Sequence, residues 1–192
     1  MAAPDWLARL SFPAMWLMWG VYWLIQSRGV KANVWAESAP SRLMHLVPLT
    51  VAALLLELNF HVLGLDERFL PPSPAIFCTG FVLTAAGLLF TVWARRHLAA
   101  NWSAEVTIKA GHELIVTGPY AWARHPIYTG LLLGVIGSAL ALGRWRGVVS
   151  VALVAMALWR KLRIEERGMR QLFGDRYREY ERQVAALIPF LL

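Results

Sequence analysis

Cysteine is almost missing from this chain: Cys78 is the only one in 192 residues. No intramolecular disulfide can form, and no cluster of thiolates can hold a metal. At mid-helix, Cys78 reads as a small apolar packing residue. Acidic residues are scarce too, 12 against 19 lysines and arginines, for a formal net charge of +7. Several chemistries lack their motif. Without a G-x-G-x-x-G, a soluble Rossmann-type cofactor domain is unsupported. His112-Glu113 has no second histidine at the zincin spacing, so no metalloprotease centre is expected, and no metal site of another kind. No hydrophobic strand leads into a glycine-rich phosphate loop. No internal repeat or low-complexity tract is present. The first apolar run reads as a retained helix rather than a cleaved signal, since no small-x-small site follows it.

What fills the chain instead is apolar. Hydrophobic residues make up 58%, against roughly 45–50% in soluble domains. Leu10–Ser27 is uncharged and bounded by Arg9 and Arg28, close to the ~20 residues that cross a bilayer. Within it Trp16, Trp19 and Trp23 recur at helical spacing, a pattern of packing or lipid contact. Leu43–Leu63 is a second run, carrying Glu57, Asn59 and His61 toward its far end. Glu57 and His61 share a helix face there, as a patch at the interface or as the lining of a polar cavity. Ala75–Ala94 has no charge at all, follows a Ser73-Pro74 N-cap and N1 pair, and ends in Arg95-Arg96-His97. His97 reads as an interfacial end residue. Pro126 opens a fourth helix to Gly143, with Gly130, Gly134, Gly137 and Ser138 as a small-residue face for close helix approach. Gly147–Trp159 is a fifth, shorter run, which spans only if Arg160, Lys161 and Arg163 emerge or snorkel. Helices four and five as a re-entrant hairpin are the alternative. From Arg163 the chain is charged and amphipathic, with Met169, Leu172, Phe173, Tyr177, Tyr180 and Val184 on one stripe and a break at Gly174.

The expectation is an all-α polytopic membrane protein of about five transmembrane helices with a C-terminal cytoplasmic catalytic subdomain. Residues 1–98 form a three-helix membrane part. Residues 99–192 form a cofactor-binding loop, a helical hairpin and an amphipathic tail, the whole acting as one integrated domain. The arginines sit at the ends of apolar runs, so the basic balance points to a lipid surface and not to nucleic acid. With five crossings, only Arg9, Arg68, Arg144 and Arg146 of the 19 lysines and arginines fall on one side. That bias puts the N-terminus outside and the C-terminus, with the polar loop, in the cytoplasm.

The chain turns polar between apolar runs only at Gly111–Gly130, GHELIVTGPYAWARHPIYTG. The residues that stand out are His112, Leu114, Gly118, Tyr120, Trp122, Arg124-His125-Pro126, Tyr128 and Gly130. Downstream come Glu165-Glu166, Phe173-Gly174, Tyr177, Tyr180 and Ile188-Pro189-Phe190. These motifs resemble the isoprenylcysteine carboxyl methyltransferase family, among the integral-membrane methyltransferases related to phospholipid N-methyltransferases. The resemblance covers about Ala99–Leu192. It implies S-adenosylmethionine as methyl donor, lined by His112, Glu113, Leu114, Ile115, Tyr120, His125, Pro126, Ile127, Tyr128 and Glu165. The family's substrate-side arginine falls on Lys161, which keeps the charge and loses bidentate carboxylate recognition. A cofactor-contacting glutamine falls on Glu105.

The residue chemistry gives a parallel reading. Glu165 can accept hydrogen bonds from the donor's ammonium or ribose, and Arg124 or His125 can meet its carboxylate. Tyr120, Trp122 and Tyr128 can stack on adenine or face the sulfonium. Arg124 and Glu166 are the catalytic candidates. A carboxylate acceptor needs no base, whereas an amine must lose a proton to Glu166 or His125. The acceptor is a lipophilic small molecule or a lipidated substrate from the membrane. Two readings compete with carboxyl O-methylation: N-methylation of a phospholipid or other amine, and a non-catalytic membrane scaffold or carrier. Taken singly, Arg124 and His125 can be interfacial anchors, and Glu165-Glu166 a solvated helix face.

Overall fold

The computed structural model describes residues 5–27, 33–59, 63–99, 107–109 and 113–188. The elements run α1 (Asp5–Gln26), β1 (Asn33–Ala36), α2 (Ala39–Glu57), α3 (Pro74–Leu98) and β2 (Thr107–Lys109). A 3₁₀ turn (Gly118–Ala121), α4 (Pro126–Leu142), α5 (Trp145–Phe173) and α6 (Asp175–Gln183) complete the chain. The architecture is helical, with one departure from the all-α expectation: β1 and β2 pair antiparallel, Asn33 opposite Lys109 and Ala36 opposite Thr107. This pairing ties the α1–α2 connection to the segment that leads into the polar stretch. Helix periodicity could not reveal it, since strands of four and three residues carry too little pattern.

Among the described residues two helices, α2 and α3, are long and apolar enough to cross a membrane by length and composition, and Pro126–Leu142 is a shorter apolar helix. α2 begins and ends earlier than its hydropathy suggests. Pro40 lies in its first turn, and Leu58 turns extended at its end while its N–H still reaches Leu54 O. Glu57 is therefore the last residue of α2; His61, expected to share a helix face with it, lies outside the described residues. Arg146, 4% exposed, closes that end. It donates to the carbonyls of Leu55 (2.6 Å) and Leu58 (2.6 Å) and pairs with Asp66 at 2.9 Å, satisfying carbonyls that a helix C-terminus leaves without partners.

α3 and α4 pack with almost no side chain between them. A Cβ on Gly87 would lie 2.5 Å from Gly130 O, and one on Gly80 would lie 2.5 Å from Gly137 O. The small-residue face of α4 therefore meets a matching face on α3, the geometry that small residues permit between apolar helices. Thr84 Oγ1 and Ser138 Oγ, both buried, satisfy themselves on the carbonyls of Gly80 and Gly134. α1 joins through its tryptophans: Trp16 Nε1 donates to Ser138 Oγ (3.1 Å) and Trp19 Nε1 to Thr91 Oγ1 (2.7 Å). Packing is thus their role, as their spacing predicts. Cys78 differs from expectation: it sits in the second turn of α3 and is exposed.

α5 is the largest difference. Its apolar run and the charged segment after it form one unbroken helix of 29 residues, about 43 Å long at 1.5 Å per residue. Between Arg160 and Arg170 good helix formers dominate, and Gly168 is accommodated. The break comes at Gly174, with φ 56°, as its glycine suggests. α2 lies along α5, where Ser150 Oγ donates to Ala52 O at 3.0 Å. The core runs through Val154, Leu158 and Leu162 of α5 to Tyr120, Ile127 and Tyr128.

Candidate functional site

The charged half of α5, the first turn of α4 and the chain after α6 converge on one cluster. Arg124 and His125 precede α4 and are held by backbone bonds to the tail. Arg124 N–H donates to Ala185 O (2.9 Å) and His125 N–H to Ala186 O (3.0 Å). Thr129 Oγ1 adds a bond to Leu187 O at 2.6 Å. Pro126 starts α4 at its first position, where a missing N–H costs nothing. The tail thus completes the ladder that the N-terminal turn of α4 lacks.

Two glutamates of α5 meet this turn. Arg124 Nε and Nη2 donate to Glu166 Oε1 at 2.9 and 2.7 Å, and its Nη1 reaches the carbonyls of Glu181 and Val184. Glu166 is 2% exposed. Burial opposes its ionisation, but the hydrogen bonds from His125 and Arg124 outweigh it and hold its pKa at about 2. Arg170 links Glu166 to Glu181 of α6. Arg124, Glu166, Arg170 and Glu181 therefore clasp α5, α6 and the α4 approach together.

Glu165 faces the other way along the same turn. Tyr128 OH donates to its Oε1 at 2.5 Å. Lys161 Nζ lies 3.9 Å from that oxygen and 5.7 Å from the centre of the Tyr128 ring. His125 stands between the two carboxylates, Nδ1 3.5 Å from Glu165 and Nε2 3.4 Å from Glu166. Its ring is parallel to Tyr128 within 5° at 5.3 Å. Burial alone would lower the His125 pKa; the hydrogen bonds and charges of Glu165 and Glu166 overcome that and raise it. Glu165 is lowered, with His125, Lys161 and Tyr128 together outweighing its burial.

The 3₁₀ turn makes the next wall. Tyr120 is buried, its phenol pushed up by burial and by the charge of Glu165. Its carbonyl accepts the Tyr180 hydroxyl at 2.5 Å. Gly118 has φ +60°, and a Cβ there would strike the His97 ring at 2.7 Å. His97 is exposed at the end of α3, as its position predicts, and Nε2 meets Thr117 Oγ1 at 2.9 Å. Pro126 and Ile127 are buried, Leu114 and Ile115 half-buried, and Glu113 exposed at the rim. His112 and Glu105 lie outside the described residues. Trp122 packs against Phe90 and Trp93 of α3, while Tyr128 is the ring beside Glu165.

Some polar residues of this region gave no signal in the sequence. Glu37 and His45 pair at 3.4 Å with their side chains each 2% exposed. Arg160 Nη1 lies 3.3 Å from His45 Nδ1 and donates to Ser41 O at 3.0 Å. Neither residue belongs to a motif, and the Arg160 that His45 meets lies on α5, 115 positions along the chain. Tyr177 and Tyr180, on the apolar stripe and among the residues of the family resemblance, are both buried, Tyr180 against the turn.

An anionic carboxylate, an imidazole and two phenol rings around one seam suit a ligand that is cationic and carries hydrogen-bond donors. The comparisons with known proteins bear on which ligand that is. A family model described as phospholipid methyltransferase matches residues 75–176. The protein-S-isoprenylcysteine O-methyltransferase of Saccharomyces cerevisiae is 32% identical over 143 residues, covering 66% of this chain and 59% of that protein. The human protein of the same name is 29% identical over 157 residues, covering 78% and 54%. A solved eukaryotic intramembrane Ras methyltransferase, isoprenylcysteine carboxyl methyltransferase, superposes with TM-score 0.47 at 22% identity, over 81% of this chain and 54% of that one. The chain thus spans between half and three-fifths of the length of these relatives. The family match runs over more than half of the chain and takes in Tyr120, His125, Tyr128, Glu165 and Glu166, and the chain belongs to the phospholipid methyltransferase family.

Proposed function

We propose that this protein is a membrane methyltransferase that uses S-adenosylmethionine to methylate a lipophilic acceptor. One observation carries the reading: Tyr128 and Glu165 meet at 2.5 Å with His125 stacked beside them. The donor is a sulfonium with an ammonium, a carboxylate and a ribose. The ionised Glu165 suits its ammonium or ribose hydroxyls, and the Tyr128 face suits the cation. Tyr120, His125, Pro126 and Ile127 line the same seam, and Glu113, Leu114 and Ile115 lead into it. When bound, the donor supplies an electrophilic methyl group. The protein's contribution is to hold acceptor and methyl in line near 3–3.5 Å, worth roughly 7–11 kcal/mol. Arg124 and Glu166, committed to one another, keep His125 and Tyr128 at their angle. Lys161 addresses the acceptor.

The relatives' names supply the first acceptor reading, carboxyl O-methylation of a prenylcysteine-like substrate. N-methylation of a phospholipid or other amine is the second, supported by the matched family's description and by a lysine at position 161 in place of the arginine. The chain crosses the membrane about five times as one integrated unit, with N-terminus outside and the Glu165 seam cytoplasmic. The distribution of lysine and arginine supports that orientation.

Calorimetry in detergent tests the donor site. Wild type should bind S-adenosylmethionine, and Tyr128→Ala or Glu165→Ala should weaken binding tenfold or more. Unchanged binding in both variants overturns the assignment, and no binding by wild type favours a non-catalytic carrier. Labelled methyl transfer into membrane extract, sorted by base lability, separates ester from amine products.

A further inference from the structure

Glu37 is set apart from the other carboxylates of this region. It lies between β1 and α2, its side chain 2% exposed, and neither oxygen accepts a hydrogen bond among the described residues. Glu165 and Glu166, by contrast, each hold direct donors from Tyr128 and Arg124. A buried carboxylate without donors is costly unless a ligand brings one.

Its neighbour His45 is in a defined state. Arg160 can only donate, so the His45 Nδ1 facing it at 3.3 Å is the accepting nitrogen. The ring proton of the neutral imidazole is then on Nε2, the atom 3.4 Å from Glu37 Oε1. His45 therefore turns its N–H toward Glu37, 3.4 Å away and short of hydrogen-bond geometry, and is not itself a base. The pair borders the seam already described. Arg160 of α5 contacts His45 and directly precedes Lys161, whose Nζ lies 3.9 Å from Glu165; Lys161 and Glu165 also act electrostatically on His45, and Glu37 on Tyr128.

We infer that Glu37, beside the Nε2–H of His45, is the acceptor-side base of the site and takes the proton of a protonated amine acceptor. This rests on the methyltransferase reading and deepens its second acceptor class. The ammonium supplies the donor that the carboxylate lacks. An N–H bond breaks and its proton goes to Glu37, freeing the nitrogen lone pair. That pair forms the new N–C bond while the C–S bond breaks, its electrons staying on sulfur as a neutral thioether. Glu37 later returns the proton to water. A carboxylate acceptor would bring a second negative charge beside Glu37 and no proton to remove.

The test uses full-length protein in detergent micelles with phosphatidylethanolamine as the amine and N-acetyl-S-farnesylcysteine as the carboxylate. Wild type should methylate the amine. Glu37→Gln should lower that rate at pH 7 at least tenfold, with the deficit shrinking as pH rises and free amine accumulates. Glu37→Asp should recover part of the rate. Without donor present, Glu37→Gln should also bind the amine lipid about tenfold more weakly, while its affinity for S-adenosylmethionine stays within twofold and shows that the variant is folded. Amine methylation by Glu37→Gln at the wild-type rate overturns the assignment, as does a deficit independent of pH. A wild type that methylates the carboxylate and no amine overturns it too, leaving the methyltransferase reading intact. Failure of wild type to bind S-adenosylmethionine would instead remove the reading beneath it.

Discussion

Tyr128 and Glu165 sit 37 positions apart and share a hydrogen bond of 2.5 Å. α4 and α5 form an antiparallel hairpin, and this bond ties the start of one helix to the charged stretch of the other. Tyr128→Phe removes the donor and leaves the ring. A hydrogen bond to a charged group is worth about 1.5–3 kcal/mol. Unfolding free energy should fall by about that amount in denaturant titration, and the fall should vanish in a Glu165→Ala background, which has no side-chain acceptor.

Breaking the Arg124–Glu166 pair should cost more. Arg124→Ala strands a carboxylate that is 2% exposed, and removing one partner of a buried pair costs about 3–5 kcal/mol. Arg124→Lys should recover only part, because one ammonium cannot serve Glu166 and the Val184 and Glu181 carbonyls together. Thermal unfolding of the two variants checks both statements.

Stability should depend on pH at two places with opposite sign. Glu166 has its folded pKa depressed from 4.5 to about 2. Its contribution is therefore complete above 4.5 and is lost as pH falls from there toward 2. His125 is raised above 6.5, so its contribution is complete below 6.5 and is lost as pH rises through the folded value. Glu166→Gln should flatten the acid limb of a stability–pH curve, and His125→Asn the limb above 6.5.

Glycine substitutions should separate contact from propensity. Gly87→Ala and Gly130→Ala each place a Cβ 2.5 Å from a backbone carbonyl of the facing helix. Overpacking of this kind costs about 1–3 kcal/mol or more. Gly168→Ala meets nothing within 4 Å and should be neutral or stabilising by up to ~1 kcal/mol. Melting temperatures in one detergent rank the three.

Much of the scaffold is legible before any coordinates. Arg124-His125-Pro126, Tyr128 and Glu165-Glu166 stand out through the family resemblance, and the structure brings them together. The glycines of α4 announce a close partner, and Gly80 and Gly87 of α3 supply it. The continuity of α5 is less legible, because hydropathy reports where a helix leaves an apolar medium and not where it ends. For the same reason hydropathy carries the second run past Glu57 toward Leu63, although Leu58 is already extended. Glu37 and His45 carry no signal: one is a loop acid and the other a histidine in an apolar helix.

The sequence by itself determined the order of the apolar helices, the basic bias of one set of loops and the residue types of the polar seam. Those follow from composition and from contacts a few positions apart, where helix geometry alone decides who is near whom. Only the tertiary structure decided which carboxylate is saturated and which is not. Arg124 reaches Glu166 across 42 positions, and Arg160 reaches His45 across 115. Contacts of that span depend on how whole helices pack, and no local pattern in the chain records them.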